Sequence, residues 1–133
     1  MMVSEDSVGV MEFVAGLRHL RTRQLSKAAR TFADAAAAAR SDEIRDRCHL
    51  AAAHAYVDAG QPSDADRHLE PIIARIPETI YGDRALVLTA DLLEARGDRE
   101  GAIAALTTLL VQYPRSILAP DTRERIRTLR GDA

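Results

Sequence analysis

The chain has 133 residues, of which 47% are hydrophobic and 29% are charged, and its formal net charge is −2. This composition excludes a disordered chain and predicts one soluble domain over residues 1–133. The near-neutral charge argues against a dedicated nucleic-acid binder. Alanine is abundant, with 24 residues, while aromatic residues make up only 4%. Such a composition is typical of helices rather than strands.

The cysteine content and the N-terminal segment indicate in which cellular compartment the protein is expected. The single cysteine, Cys48, cannot form an internal disulfide and is expected to be a buried packing thiol. The first residues carry acids and no early Lys or Arg, so they do not resemble a secretory signal. No run of 18 apolar residues occurs, which argues against membrane insertion. If residue 1 is the natural start, a cytoplasmic protein is expected.

An internal repeat appears when the sequence is compared with itself at a shift of 37 residues. Two segments share the order Gly, Ala, Leu, Pro, and a third keeps a small residue followed by a large apolar one. The aligned sets are Gly60, Ala65, Leu69 and Pro77; Gly97, Ala102, Leu106 and Pro114; and Ala28 with Phe32. The sequence therefore predicts three units at about 9–42, 46–79 and 83–116.

Each unit is predicted to be a helical hairpin, because its apolar residues recur at helical spacing and its helix breakers fall between the runs. Gly60 and Gly97 stand where a helix end enters the left-handed region, which glycine adopts at low cost. The predicted helices are 7–22 and 26–39, then 43–59 and 63–76, then 80–96 and 99–113.

The second helix of each hairpin is expected to begin at a capping side chain. Ser26, Ser63 and Asp98 are the predicted caps, since short polar side chains accept hydrogen bonds from free backbone amides. Pro77 and Pro114 are expected to end the second and third of these helices.

A small residue early in each second helix should let the two helices of a hairpin approach closely. A larger residue four positions later fills the wider gap; the pairs are Ala28 with Phe32, Ala65 with Leu69, and Ala102 with Leu106. The last segment, about 117–130, predicts a capping helix that closes the end of the stack. Its apolar stripe consists of Leu118, Thr122, Ile126 and Leu129.

The second unit, with Ala53, Tyr56, Gly60, Ala65, Leu69 and Pro77, resembles the tetratricopeptide repeat, and the third is similar with Ala90, Leu93, Gly97, Ala102, Leu106 and Pro114. The first keeps Gly16, Ala28 and Phe32 but departs from the pattern at Glu12, His19, Arg23 and Arg40. The resemblance implies an all-α fold, a right-handed α-α superhelix of three hairpins plus a C-terminal capping helix. It also implies that the uncovered faces of the first helices line a concave groove.

No residue constellation points to catalysis, a cofactor or a metal. His49 and His54 lie five apart on one predicted helix and diverge by about 140°, so they cannot chelate together. Acidic pairs at the helix starts are explained by the helix dipole, and no phosphate-binding glycine loop occurs. We therefore expect a protein that is not an enzyme and that holds no cofactor and no metal.

The predicted groove changes from apolar at the first repeat to mixed and acidic at the third. Its residues are Val10, Phe13, Leu17 and Leu20; Arg47, Leu50, His54 and Asp58; and Arg84, Val87, Asp91 and Glu94. Core packing is the alternative for Phe13, Leu17 and Leu20. Relatives that clamp a C-terminal carboxylate use an Asn where this chain has Leu17, so the resemblance does not favour that mode.

These observations predict a non-catalytic adaptor that binds a peptide or helix of a partner protein in the groove. The alternative is a structural subunit that self-associates or scaffolds a larger bacterial assembly, through the groove or through the alanine-rich surface 33–39. A homo-oligomer is compatible with either function. Neither nucleic acid nor a membrane is an expected partner.

Overall fold

The computed structural model describes residues 5–21 and 24–131, without the side chains of residues 5–8 and 18–21. Within these ranges the chain forms seven helices and no strand, which confirms the all-α prediction. The helices are α1 (Glu5–Arg21), α2 (Leu25–Ala38), α3 (Asp42–Asp58), α4 (Pro62–Ile73), α5 (Gly82–Ala95), α6 (Arg99–Gln112) and α7 (Ala119–Leu129).

The helices belong to two compact units, Met1–Ala74 and Arg75–Ala133. In the first unit α1 packs on α2, α2 on α3 and α3 on α4, and α1 also contacts α3. In the second unit α5 packs on α6, and α6 packs on α7. The helices that the sequence paired as hairpins are therefore packed against each other within each unit.

The starts of the second helices confirm one predicted cap and correct two. Asp98 caps α6 by accepting a hydrogen bond from the Gly101 amide at 2.8 Å. Ser63 is not a cap, because Pro62 occupies the first turn and α4 begins there. Proline fits this position well, since the first helical amide has no partner within the helix. Ser26 lies inside α2, and its hydroxyl instead donates to Gln61 Oε1 at 3.0 Å.

The helix ends follow the glycine prediction but only partly the proline prediction. Gly60 and Gly97 have φ values of 76° and 81°, as expected for left-handed ends of α3 and α5. Pro114 follows α6 closely, as predicted. Pro77 does not end α4, because that helix already stops at Ile73. The chain turns there instead, with the Arg75 carbonyl accepting from the amides of residues 78 and 79.

The predicted small and large pairs form the contacts between the helices. Ala28, Phe32, Ala65, Leu69, Ala102 and Leu106 are all at most 2% exposed. On α1, Gly16 lies so close to the Phe32 ring that an added Cβ would stand 2.5 Å from Phe32 Cε1. Ala53 and Ala90 occupy the same place in the 37-residue register and are fully buried. The repeat therefore marks where the paired helices approach most closely.

The terminal helix covers the second unit as its apolar stripe predicted. Ile126 and Leu129 pack in one cluster with Ala90, Ala102 and Leu106. Thr122 is also buried, and its neighbours Arg123, Arg127 and Arg130 are exposed. Helix α7 thus adds its apolar face to the core that α5 and α6 form.

Enlarging a residue at the tight helix contact should destabilise the second unit. We expect Ala102→Leu to lower the free energy of unfolding by about 1 to 3 kcal/mol, because the added atoms have no space beside Ala90 and Leu106. Ala104→Leu is the matched control, since Ala104 is exposed on the same helix. Urea unfolding followed by circular dichroism measures both. Equal midpoints for the two variants would contradict the proposed contact.

Candidate functional site

The predicted groove residues of α1 include an exposed apolar surface. Val10 and Leu17 are 43% and 39% exposed, as the groove prediction requires. Met11 and Val14, which the sequence reasoning did not select, are 66% and 48% exposed beside them. We call Val10, Met11, Val14 and Leu17 the α1 face. The side chain of Leu20, another predicted groove residue, lies outside the described residues.

Three predicted groove residues are turned toward the core instead. Leu50 is only 8% exposed, so its predicted exposure is wrong. Phe13 is half-buried, and its ring centre lies 5.2 Å from that of Phe32. Val87 is half-buried against the cluster of Ala102 and Leu106. All three share one position in the 37-residue register, which packs inward in each repeat and explains the correction.

The remaining predicted residues of α3 are exposed and polar. Arg47, His54 and Asp58 all lie on the surface of the first unit. Arg47 approaches Glu43 with an N to O distance of 3.6 Å, and both side chains are well exposed. An exposed pair of this kind contributes little to stability.

The acidic end predicted for the third repeat is partly neutralised. Asp91 and Glu94 are exposed on α5, but Arg125 of α7 binds both carboxylates, at 2.7 and 2.6 Å. Arg84, the other polar residue predicted there, is exposed and lies 5.6 Å from the centre of the Tyr81 ring. The surface predicted to be mixed and acidic is therefore less acidic than α5 alone suggests, because a basic side chain from α7 compensates both carboxylates.

A small cavity lies between α5, α6 and α7 beside this ion-pair cluster. Its volume is about 160 Å³, and it is lined by Val87, Leu106, Leu118, Asp121, Thr122 and Arg125. Pockets that hold small-molecule ligands are usually about 300 to 1,000 Å³. This cavity has room for one inserted side chain rather than for a cofactor.

A polar aromatic cluster between α3 and α4 was missed by the sequence reasoning. The Nδ1 atoms of His49 and His68 are 2.9 Å apart, and the His68 ring stacks on Tyr56 with centres 5.5 Å apart. Burial, the neighbouring His68 and Arg45 lower the pKa of His49 to about 4. Burial also lowers the pKa of His68. Both rings are therefore neutral at neutral pH.

The lone cysteine is placed for packing rather than for chemistry. Cys48 is fully buried against Ala35 and Ala36. Burial raises the pKa of its thiol to about 11, so the reactive thiolate is rare at neutral pH. The sequence prediction of a buried packing thiol is confirmed.

Neither a group of three metal-binding side chains nor a membrane-spanning segment is found in the described part of the chain. No three His, Cys, Asp or Glu side chains there are grouped so that they could hold a metal ion. None of the helices described above has the length and apolar character needed to cross a bilayer.

Comparison with protein-family models, with curated proteins and with solved structures finds no match to this chain. The α1 face and the histidine pair are the most distinctive features of the described residues, and a function has to be inferred from such features alone.

Acidification should destabilise the fold through His49. Its pKa is lowered from 6.5 to about 4 in the folded chain, so between these values the unfolded chain binds a proton that the folded chain does not. The stability that the neutral His49 gives the folded chain is fully present above pH 6.5 and is lost as the pH falls toward 4. We expect a loss of about 1 kcal/mol, since partial contact with water weakens the effect.

The variant His49→Leu should lose this part of the pH dependence. Leucine suits the position, because Leu86 occupies it one repeat later and is buried. Urea midpoints at pH 7 and pH 4.5 measure the difference, with His54→Leu as the control from the exposed side of the same helix. The same acid sensitivity in His49→Leu and in the parent would argue against the assignment.

Proposed function

We propose that this chain is a non-catalytic adaptor built from tetratricopeptide-like repeats. Its three hairpins would stack into a right-handed superhelix with α7 as the cap, and a partner segment would bind along the first helices. The burial of the small and large pairs at the 37-residue interval supports the repeat assignment. The matching positions of Gly16, Ala53 and Ala90 at close helix contacts support it as well.

The exposed apolar α1 face is the observation that carries this proposal. Its four large side chains are each at least 39% exposed and follow one another at helical spacing. Apolar side chains grouped in this way mark surfaces that bind other proteins. Covering them would contribute about 25 cal/mol for each Å² removed from water. A partner helix or an extended peptide with apolar anchors fits this surface.

The charged residues indicate the polar part of the partner. Arg47 and Arg84 are exposed on α3 and α5, while Arg125 compensates the acids Asp91 and Glu94. Each unit therefore presents a basic side chain at its surface. We propose a partner segment whose apolar residues contact the α1 face and whose acidic residues contact Arg47, which belongs to the same unit. Charge complementarity of this kind gives specificity and a faster encounter.

Charged substitutions on the α1 face should abolish binding without unfolding the protein. The probe is a peptide selected from a random display library on the immobilised parent chain and titrated by fluorescence anisotropy. We expect the double variant Val10→Asp, Leu17→Asp to bind this peptide at least tenfold more weakly, because the carboxylates would be desolvated in the complex. Ile117→Asp is the control, since Ile117 is 87% exposed in the other unit. Weakening by Ile117→Asp alone would place the surface elsewhere.

Charge reversal tests the basic part of the proposed surface. The variant Arg47→Glu should keep its unfolding free energy within about 0.5 kcal/mol, since the side chain is exposed. We expect it to bind the selected peptide about tenfold more weakly, with a smaller loss at high salt. Arg67→Glu on α4 is the control, an exposed arginine on a second helix of the same unit. If only Arg67→Glu weakens binding, the partner uses the second helices.

Self-association is the alternative supported by the same surface, because a second copy could also cover the α1 face. The alanine-rich segment 33–39 is a poorer candidate than the sequence suggested, since Ala35, Ala36 and Ala39 are buried in the first unit. Light scattering separates the two functions. A dimer of the parent that becomes a monomer in Val10→Asp, Leu17→Asp would favour the structural subunit over the adaptor.

A further inference from the structure

The histidine pair between α3 and α4 has a geometry that packing alone does not demand. His49 and His68 approach through their Nδ1 atoms at 2.9 Å, with ring centres 5.1 Å apart. Both side chains are only partly buried, so water reaches their surroundings. Two imidazoles that face each other through ring nitrogens bring two metal-binding atoms to one point.

The third repeat shows that this position can be filled without histidine. A shift of 37 residues replaces His49 by Leu86 and His68 by Ala105. Leu86 is 4% exposed, and Ala105 packs against the core of the second unit. The hairpin therefore does not need imidazoles at these positions in order to pack. The two histidines of the second repeat can instead have a chemical role.

We propose that His49 and His68 form a two-ligand site for a cupric ion, with Nδ1 of each ring as ligand and water in the remaining positions. Imidazole suits copper, and square-planar coordination by nitrogen and oxygen is the geometry typical of Cu²⁺. The site goes beyond the proposed adaptor function and does not depend on it. It revises the sequence expectation that the chain binds no metal, but keeps the expectation that the chain folds without one.

The general affinity order of divalent ions favours copper over zinc at a site of two imidazoles. Two neighbouring ligands of a square-planar ion, each about 2.0 Å from the metal, stand about 2.8 Å apart. The two Nδ1 atoms are 2.9 Å apart, which is the length of an ordinary hydrogen bond and is also compatible with this geometry.

Binding requires a change of tautomer at the pair and a rotation of the rings. In the metal-free pair one Nδ1 carries the proton that forms the hydrogen bond, and the other accepts it, so the accepting lone pair points at the neighbouring nitrogen. In the complex both rings would carry their protons on Nε2 and would turn so that both Nδ1 lone pairs point at the metal.

A cupric ion at this site would link the two helices of the second hairpin. His49 belongs to α3 and His68 to α4, so the ion can bind both nitrogens only while the helices stay packed. An ion that binds the folded chain alone stabilises it in proportion to the logarithm of its concentration. The melting temperature should therefore rise with added copper.

The test uses the full chain without a histidine tag, titrated with cupric ion at neutral pH. We expect one ion per chain, an electron paramagnetic resonance spectrum with couplings from two imidazole nitrogens, and a higher melting temperature. The variant His49→Leu, His68→Ala copies the third repeat and should bind at least tenfold more weakly. His54→Ala is the control, because His54 is exposed on α3 and lies outside the pair.

Two outcomes would overturn the proposal. One is a parent spectrum with a single imidazole or none, and this measurement stands even if the double variant does not fold. The other is parent-like affinity in the double variant, which would place copper elsewhere on the chain. In either case His49 and His68 form a hydrogen bond only.

Discussion

The close approach of paired helices at residues with little or no side chain is the constraint on which the structure depends. Gly16 leaves the space that the Phe32 ring occupies, and a single added carbon there would stand 2.5 Å from that ring. Ala53 and Ala90, the equivalents of Gly16 in the later repeats, have no exposed surface. Once these contacts are fixed, the inward face of every helix is fixed with them. The surfaces available for function are therefore the helix faces that do not point inward.

The helical organisation could be predicted because it repeats. Glycine at the ends of α3 and α5 and alanine near the starts of α4 and α6 recur at one interval, so each supports the other. Two of the errors come from proline. Pro62 at the start of α4 outweighs Ser63 as a boundary signal, because proline is best placed at a first helical residue. Pro71 lies near the end of α4, and the helix stops before Pro77 can act.

The candidate site was predicted less well, because exposure depends on contacts between distant residues. Arg125 binds Glu94, which lies 31 residues away in the sequence, and no local sequence pattern predicts that ion pair. The error at Leu50 was avoidable, since its position in the 37-residue register is apolar in all three repeats, with Phe13, Leu50 and Val87. The His49 and His68 contact joins two helices of one hairpin. Comparing the repeats position by position would have shown both histidines replaced by apolar residues one repeat later.

Differences between repeats are therefore more informative about function than their similarities. Positions that pack, such as those of Ala65 and Ala102, are alike because the helix contact leaves one solution. Positions that face solvent are free to differ. At one of them the first repeat has Leu17 and the second repeat has His54. An apolar side chain that stays exposed is costly for a folded chain to keep without a partner. The α1 face concentrates four such side chains on one helix. Our proposal therefore places the partner at the first repeat, which departs most from the shared pattern.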